Sequence, residues 1–215
     1  LFTEPYMVRF LLHNTLGAWW AGKRLAADPA LAREAPDEAA LRAALAPPGY
    51  AWAYLRFVRD PSPSPPPDPL SPQRGERPGE GGQPENPDDS APSPPQSPWR
   101  PAAGTFPGWP AAAAALTVLD PCCGSGHFLT EALTALAALR RAEEGLSPGE
   151  AVAAVLRDNL AGLEIDGRCV QIAAFNLALT GWRIGGAGTA LPTPNVAWVG
   201  APPPLPKAEF AALAN

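Results

Sequence analysis

The residues best suited to chemistry follow one short apolar segment, in the stretch Leu116-Thr-Val-Leu-Asp-Pro-Cys-Cys-Gly-Ser-Gly-His-Phe128. Asp120 places a carboxylate at the end of that segment, and Gly124 and Gly126 follow it in a tight turn. Glycine adopts backbone angles that other residues avoid and lets a ligand approach the main chain. A pyrophosphate site of the form G-x-G-x-x-G does not fit, because the acid would repel the phosphates and Leu129 occupies the third glycine position. The turn therefore favours a ligand that carries a cationic group.

A strand, a turn and a helix must position this site. Leu116 to Leu119 are apolar or β-branched, as a buried parallel strand requires, and apolar residues recur at helical spacing from Phe128. A second acidic cluster, Glu164 and Asp166, ends the strand predicted over residues 160–166. Because parallel strands bring their carboxyl ends to one edge, we expect Glu164 beside the glycine turn, where it can accept two hydrogen bonds from ribose hydroxyls. Asp166 either contacts the same ligand or caps the next helix.

The sequence Asp-Pro-Cys-Cys-Gly-Ser-Gly resembles the cofactor-binding motif of S-adenosylmethionine-dependent DNA adenine methyltransferases. In that family the acid and the loop hold the methionine end of the cofactor. The resemblance implies cofactor contacts from Asp120, Pro121, Cys123, Gly124, Ser125, Gly126 and Phe128. His127 falls in the Gly-His-Phe of the family, where it would shape the loop. The alternatives are a glycine turn that binds no ligand and a nicotinamide site.

Two further segments extend the resemblance. Phe-Thr-Glu-Pro near the start is similar to a motif that closes over the methionine part of the cofactor, which implies contacts from Phe2 and Thr3. The family more often has proline directly after the threonine, and this chain does not. Gly-Leu-Glu-Ile-Asp, with the downstream Cys169-Val-Gln-Ile-Ala-Ala-Phe-Asn-Leu, resembles adenine methyltransferases of phage-defence (BREX) and restriction systems. The resemblance implies that Glu164 holds the ribose and that Ile165 packs on the adenine.

The alternation of strands and helices predicts an α/β fold with a parallel sheet. The resemblance implies a Rossmann-like sheet of the class I methyltransferase type, here incomplete. We expect an N-terminal helical segment over residues 1–60, a disordered linker over residues 61–110 and a partial S-adenosylmethionine-binding core over residues 111–215. The linker holds more than half of the 30 prolines and almost no aliphatic residues, so its composition cannot support a core.

Local signals predict the remaining elements. A helix is expected from the capping residue Thr3 to Gly17, with His13 as a surface or capping group, and another over Asp37–Ala46. Residues 50–58 permit a short strand or a helix. Ser147-Pro-Gly-Glu forms a capping box for a helix to residue 159, a further helix spans residues 168–179, and a weak strand spans residues 195–199.

Charge and cysteine usage exclude several classes of protein. A formal charge of -5 and a pI near 5.1 argue against a free-standing nucleic-acid binder, which normally carries a basic face. The three cysteines form no C-x-x-C pair, so we expect no metal site and a reducing, cytoplasmic environment. No apolar run reaches the ~18 residues of a membrane helix, and no segment resembles a signal peptide.

The resemblance implies part of an enzyme that transfers a methyl group from S-adenosylmethionine to the exocyclic amino group of adenine in DNA. Its family carries a catalytic Asn-Pro-Pro-Tyr motif, which this sequence lacks, so we assign no catalytic residue. We expect a fragment that is inactive alone and reaches DNA, and other defence-system subunits, through parts of the protein not in this chain. The alternative is a truncated copy that binds the cofactor and does no chemistry.

Overall fold

The computed structural model describes residues 3–59, 97–104 and 106–200 of the chain. Its helices, in chain order, are α1 (Pro5–Leu12), a π-helical turn (His13–Gly17), α2 (Ala18–Ala27), α3 (Pro29–Glu34), α4 (Glu38–Ala44), α5 (His127–Glu144), α6 (Pro148–Asp158) and α7 (Gly167–Gly185). Its strands are β1 (Phe57–Arg59), β2 (Trp99–Pro101), β3 (Val118–Asp120), β4 (Leu160–Glu164) and β5 (Val196–Trp198). None of these helices is long and apolar enough to cross a membrane.

A parallel sheet with the strand order β3-β4-β5 brings three carboxyl ends to one edge. In its register Asp120 pairs with Gly162, and Glu164 pairs with Trp198. Helices α5 and α6 connect β3 to β4, α7 connects β4 to β5, and the three helices pack against one another. The predicted α/β class with a parallel sheet is confirmed, and the arrangement is compatible with an incomplete Rossmann-like fold.

The core forms where these helices meet the sheet. The predicted apolar stripe of α5 is confirmed, because Leu129, Leu133, Leu136 and Leu139 are all fully buried. Burial of such side chains contributes ~1.5–3 kcal/mol each to folding. The one buried cation of this region, Arg140, is neutralised by hydrogen-bonded carboxylates on α5 and α6.

The strand before the glycine turn begins later than predicted. Residues 113–115 form a 3-10 turn, and Leu116 buries its side chain beside it. The side-chain amide of Asn159 donates to the Leu116 carbonyl oxygen (2.6 Å), so that carbonyl does not enter the sheet. Strand β3 therefore spans Val118–Asp120 in place of the predicted residues 116–119.

A two-stranded antiparallel sheet changes the predicted extent of the linker. Strand β2 lies within residues 61–110, which were predicted to be the linker, and it pairs with β1 so that Arg59 lies opposite Trp99. The carbonyl oxygen of Pro110, at the other end of that region, accepts a hydrogen bond from the Trp19 indole (3.0 Å). The packed part of the chain therefore includes residues 97–104 and 106–110. Residues 60–96 lie outside the described residues.

The N-terminal helix does not end at Gly17. Helix α1 runs through the π-helical turn into α2, and Gly17 has helical backbone angles. A Cβ atom at Gly17 would lie 2.7 Å from the Trp52 ring, so this glycine makes room for an indole. The predicted capping role of Thr3 is also wrong, because Glu4 occupies the N-cap position without a side-chain hydrogen bond.

His13 is buried, which corrects the predicted surface position. Its exposed fraction is 2%. Nδ1 accepts a hydrogen bond from the Tyr54 backbone N–H (3.0 Å), so the ring hydrogen resides on Nε2, which donates to the Tyr50 hydroxyl oxygen (3.0 Å). Burial, and then the nearby Arg9 guanidinium, lower the pKa of His13 from 6.5 to about 4. The imidazole is therefore a neutral bridge between two chain segments.

The other local predictions hold with shifted boundaries. The Ser147 capping box is confirmed, and the helix predicted over Asp37–Ala46 is α4, for which Asp37 is the N-cap. Residues 50–56 form turns that lead into β1, which settles the open choice in favour of a short strand. Helix α7 continues past its predicted end to Gly185. Gly181 within it is another close-packing position, where a Cβ atom would lie 2.9 Å from Leu191.

Candidate functional site

The glycine turn is shaped by one carboxylate and two left-handed glycines. Oδ1 of Asp120 accepts a hydrogen bond from the Cys122 N–H (3.1 Å), which tightens the chain as it leaves β3. Gly124 and Gly126 then take positive φ angles of 52° and 79°. Gly126 is the N-cap of α5 and lies against α7, where a Cβ atom would come within 3.0 Å of Ala173. The sequence therefore fixes a turn that no other residue at position 126 would fit.

Hydrogen bonds from β4 and α7 hold the turn in place. The Cys123 N–H donates to the Leu163 carbonyl oxygen (2.9 Å), and the Gly124 N–H donates to Oε2 of Glu164 (2.7 Å). On the other side, the Asn176 side-chain amide donates to the Ser125 carbonyl oxygen (2.9 Å). The loop is thus anchored at three successive residues by two different elements.

A cavity of about 400 Å³ opens beside this loop. It is lined by Thr3, Val8, Leu119, Asp120, Pro121, Cys122, Cys123, Gly124, Ser125, His127 and Phe128. Seven of the predicted cofactor contacts are among these residues. Gly126 lies behind the loop, and Phe2 lies outside the described residues. The structure therefore brings most of the predicted contacts around one cavity.

Helix α1 brings the N-terminal segment to the same cavity. Arg9 forms two hydrogen bonds of 3.0 Å with the carboxylate of Glu131 on α5. Val8 and Leu12 are buried, one turn apart on the face of α1 that meets the core. This docking places Thr3 on the cavity wall together with the residues of the glycine loop.

Glu164 connects the loop to the end of β4. Its Oε2 accepts from the Gly124 N–H, and its Oε1 accepts from the Asp166 N–H (2.9 Å). These two bonds, the one from Asp166 being the stronger influence, lower the pKa of Glu164, so the group stays ionised. Each carboxylate oxygen retains a further lone pair that can accept from a ligand hydroxyl. The structure thus joins the two acidic clusters at one edge of the sheet, as the parallel arrangement predicts.

Asp166 and Ile165 follow at the rim of the site. Asp166 caps α7 by accepting from the Arg168 N–H (2.9 Å) and also pairs with the Arg168 guanidinium (2.8 Å). The guanidinium, and then that N–H, lower the pKa of Asp166 to about 2. Of its two predicted roles, the structure shows the helix cap. Ile165 is 73% exposed, and neither residue lines the cavity.

Cys123 and His127 turn towards the protein. The Cys123 side chain is buried against Gly162, where a Cβ atom would lie 3.1 Å from the sulfur. Burial, followed by the nearby Asp120 and Glu164 charges, raises the pKa of the Cys123 thiol to about 11. Nε2 of His127 is buried and has no hydrogen-bond partner among the described residues. The Cys123 thiol therefore packs the loop onto β4 and remains protonated.

Asn176 is a site residue that sequence reasoning missed. It lies on α7 beside Ala173 and Leu177, which are buried. A polar amide next to a buried stripe is the signal that could have identified it, because such a group needs a hydrogen-bond partner. The described residues contain no group of three or more side chains arranged to hold a metal ion.

Comparison with known proteins gives one curated relative and no matching family model. The chain is 41% identical over 64 residues to the adenine-specific methyltransferase BrxX of Escherichia coli O9:H4 (strain HS). The matched region covers 30% of this chain and 5% of that protein. The chain is therefore related, over this region, to part of an adenine-specific methyltransferase.

Proposed function

We propose that this chain binds S-adenosylmethionine at the glycine loop. The observation that carries the proposal is one anchored loop held by two carboxylates: Asp120, which lines a cavity of about 400 Å³, and Glu164, which accepts from the Gly124 N–H at the end of β4. Two carboxylates on one loop suit a ligand that has an ammonium group at one end and ribose hydroxyls at the other. The similarity to an adenine-specific methyltransferase supports the same ligand.

The residues present fit the methionine end of this cofactor. Among the described residues Oδ2 of Asp120 has no hydrogen-bond partner and can accept from the ligand ammonium. A Cβ atom at Gly124 would meet nothing within 4 Å, so there is open space above the loop. Helix α5 begins there without a side-chain cap, and its first N–H groups can bind the ligand carboxylate.

We further propose that the parent protein is a DNA adenine methyltransferase of a restriction or phage-defence system. The bound cofactor supplies an electrophilic sulfonium methyl group, and Asp120, Glu164 and the loop orient its two ends. The 215 residues contain no Asn-Pro-Pro-Tyr and carry a formal charge of -5. We therefore assign binding of the target adenine, DNA binding and contacts with other subunits to parts of the parent protein outside these 215 residues. On its own the chain is expected to bind the cofactor without labelling DNA in a tritiated-methyl assay.

Titration calorimetry with an isosteric pair of variants tests the proposal. Asp120→Asn keeps an oxygen that can accept from Cys122 and replaces Oδ2, which would accept from the ammonium, by an uncharged NH2 group that only donates. Loss of a hydrogen bond to a charged group weakens cofactor affinity about tenfold to a hundredfold. Asp37→Asn is the matched control, because asparagine caps α4 equally well and the same charge is lost away from the cavity. Equal affinities for Asp120→Asn and the parent would exclude this binding mode.

A further inference from the structure

Helix α7 carries a second apolar stripe on its outer side. Its inner side is buried through Ala173, Leu177 and Gly181. Its outer side carries four large apolar residues: Ile172, Phe175, Leu179 and Trp182. With about 3.6 residues per turn, the two sets lie on opposite sides of the helix. The outer set is called the α7 stripe below.

The α7 stripe is open to solvent. Phe175 is 61% exposed, Ile172 is 48% exposed and Trp182 is 42% exposed. Helix α7 also has no charged residue between Arg168 and Arg183, whereas the outer side of a surface helix normally carries charged and polar residues. A contiguous apolar side of this kind indicates an interaction surface.

The spacing of the α7 stripe is that of a seam between two helices. Apolar residues at alternating intervals of three and four meet along one line when two helices pair. In an antiparallel pair of α7 helices with its two-fold axis level with Leu177, Ile172 of one copy lies against Trp182 of the other. Phe175 then lies against Leu179. Both layers join two large apolar side chains, and no charged residue enters them.

The ends of the α7 stripe are complementary in charge. Arg168 lies one turn before Ile172 on the same side of the helix, and its side chain is 86% exposed. The antiparallel pair places it level with Gly186, the C-cap of α7, in the other copy. The last carbonyl groups of a helix attract cations, and a Cβ atom at Gly186 would meet nothing within 4 Å, so a guanidinium has room there. A parallel pair would instead bring two Arg168 side chains together.

We propose that the α7 stripe binds the same stripe of a second copy of this chain in an antiparallel, two-fold symmetric contact. A second copy is the occupant because the stripe matches itself in both packing and charge. Such a contact uses the same surface on both protomers, so it closes at two copies. The free edge of β3 is a different surface, and contacts through both surfaces would build larger assemblies.

Sedimentation equilibrium in a Leu119→Lys background measures the α7 contact alone, because the lysine charges the β3 edge. We expect this chain to show a monomer–dimer equilibrium. Addition of Phe175→Glu should raise the dissociation constant of the dimer about a hundredfold, because the substitution enters the contact twice and each copy places a charge in an apolar layer. Phe10→Glu is the matched control, because Phe10 on α1 is 49% exposed and lies outside the stripe. It should leave the dissociation constant unchanged.

Arg168→Ala tests the orientation of the two helices. In the antiparallel pair it removes a cation from each helix C-terminus, so the dissociation constant should rise about threefold to tenfold. In a parallel pair the same substitution would remove a repulsion and tighten the dimer. Circular dichroism checks that each variant retains the fold of the parent.

Three results would overturn the proposal. The first is a Leu119→Lys chain that stays monomeric at the highest concentration that remains soluble. The second is a dimer that Phe175→Glu leaves intact, or that Phe10→Glu weakens to the same extent. The third is a dimer that Arg168→Ala tightens, which would show that the helices do not run antiparallel.

Discussion

Acidification should destabilise this protein through His13 before its carboxylates are protonated. The pKa of His13 is about 4 in the folded chain, against 6.5 for the exposed side chain. As the pH falls below 6.5, His13 binds a proton in the unfolded chain but remains neutral in the folded chain. The contribution of the neutral imidazole is therefore complete above pH 6.5 and is lost as the pH falls towards 4.

The size of the effect follows from these two pKa values. At about 1.36 kcal/mol for each pH unit between them, the full contribution is about 3 kcal/mol, of which about 2 kcal/mol is lost by pH 5. Typical domains have a total stability of only 5–15 kcal/mol, so a loss of about 2 kcal/mol is easily measured. The main structural cause is burial of the imidazole, to which the nearby Arg9 guanidinium adds. Nδ1, once protonated, can also no longer accept the Tyr54 N–H.

Urea unfolding of the parent and of His13→Asn at pH 8 and pH 5 tests this reasoning. Asparagine offers an amide oxygen to the same N–H and does not titrate. The variant is expected to be less stable at pH 8, and to lose about 2 kcal/mol less than the parent between the two pH values. The same pH dependence in both proteins would show that His13 is not the group responsible.

Three further predictions concern the fold. Gly17→Ala should lower the free energy of unfolding by about 1–3 kcal/mol, because the added methyl group would press on the Trp52 ring. Gly22→Ala, where a Cβ atom would meet nothing within 4 Å, should raise the free energy of unfolding by up to about 1 kcal/mol, and the opposite ranking of the two variants in urea titration would contradict this packing. Replacement of residues 61–96 by a short Gly/Ser turn should leave the midpoint of thermal unfolding unchanged, because Arg59 at the end of β1 lies opposite Trp99 at the start of β2. A large drop in that midpoint would show that the replaced residues contribute to stability. The chain should self-associate through β3, an edge strand within the described part, and Leu119→Lys should reduce association in light scattering; an equally associated variant would place the contact elsewhere.

The sequence predicted the elements whose signals are local. The Ser147 capping box, the start of a helix at Asp37 and the apolar stripe of α5 each depend on residues within a few positions of one another. The predicted helix ends at Gly17 and residue 179 rest on the same kind of local signal. Both helices continue instead, and Gly17 and Gly181 are positions where a distant side chain packs against the helix, a partner that no local pattern reveals.

The candidate site also contains features that the sequence predicts and features that it does not. The proximity of Glu164 to the glycine loop follows from parallel topology, which the alternation of strands and helices predicts. The neutral bridge at His13 does not follow, because its partners lie about 40 residues away in a segment without a clear pattern. The role of Asn176 was not predicted for a related reason, since it depends on the Ser125 backbone carbonyl that its side chain reaches.

The hydrogen bonds of Glu164 have a consequence for the rates of ligand binding. Because Glu164 already holds the Gly124 and Asp166 N–H groups, the loop needs no ordering at the moment of encounter. Association of the proposed cofactor is then expected to be limited by diffusion and orientation, and differences in its affinity among variants at Asp120 should arise from the dissociation rate constant. Glu164→Gln is the exception, because an amide can accept from only one of the two N–H groups through its oxygen. Its association rate constant should fall, because part of the loop then has to order as the ligand arrives.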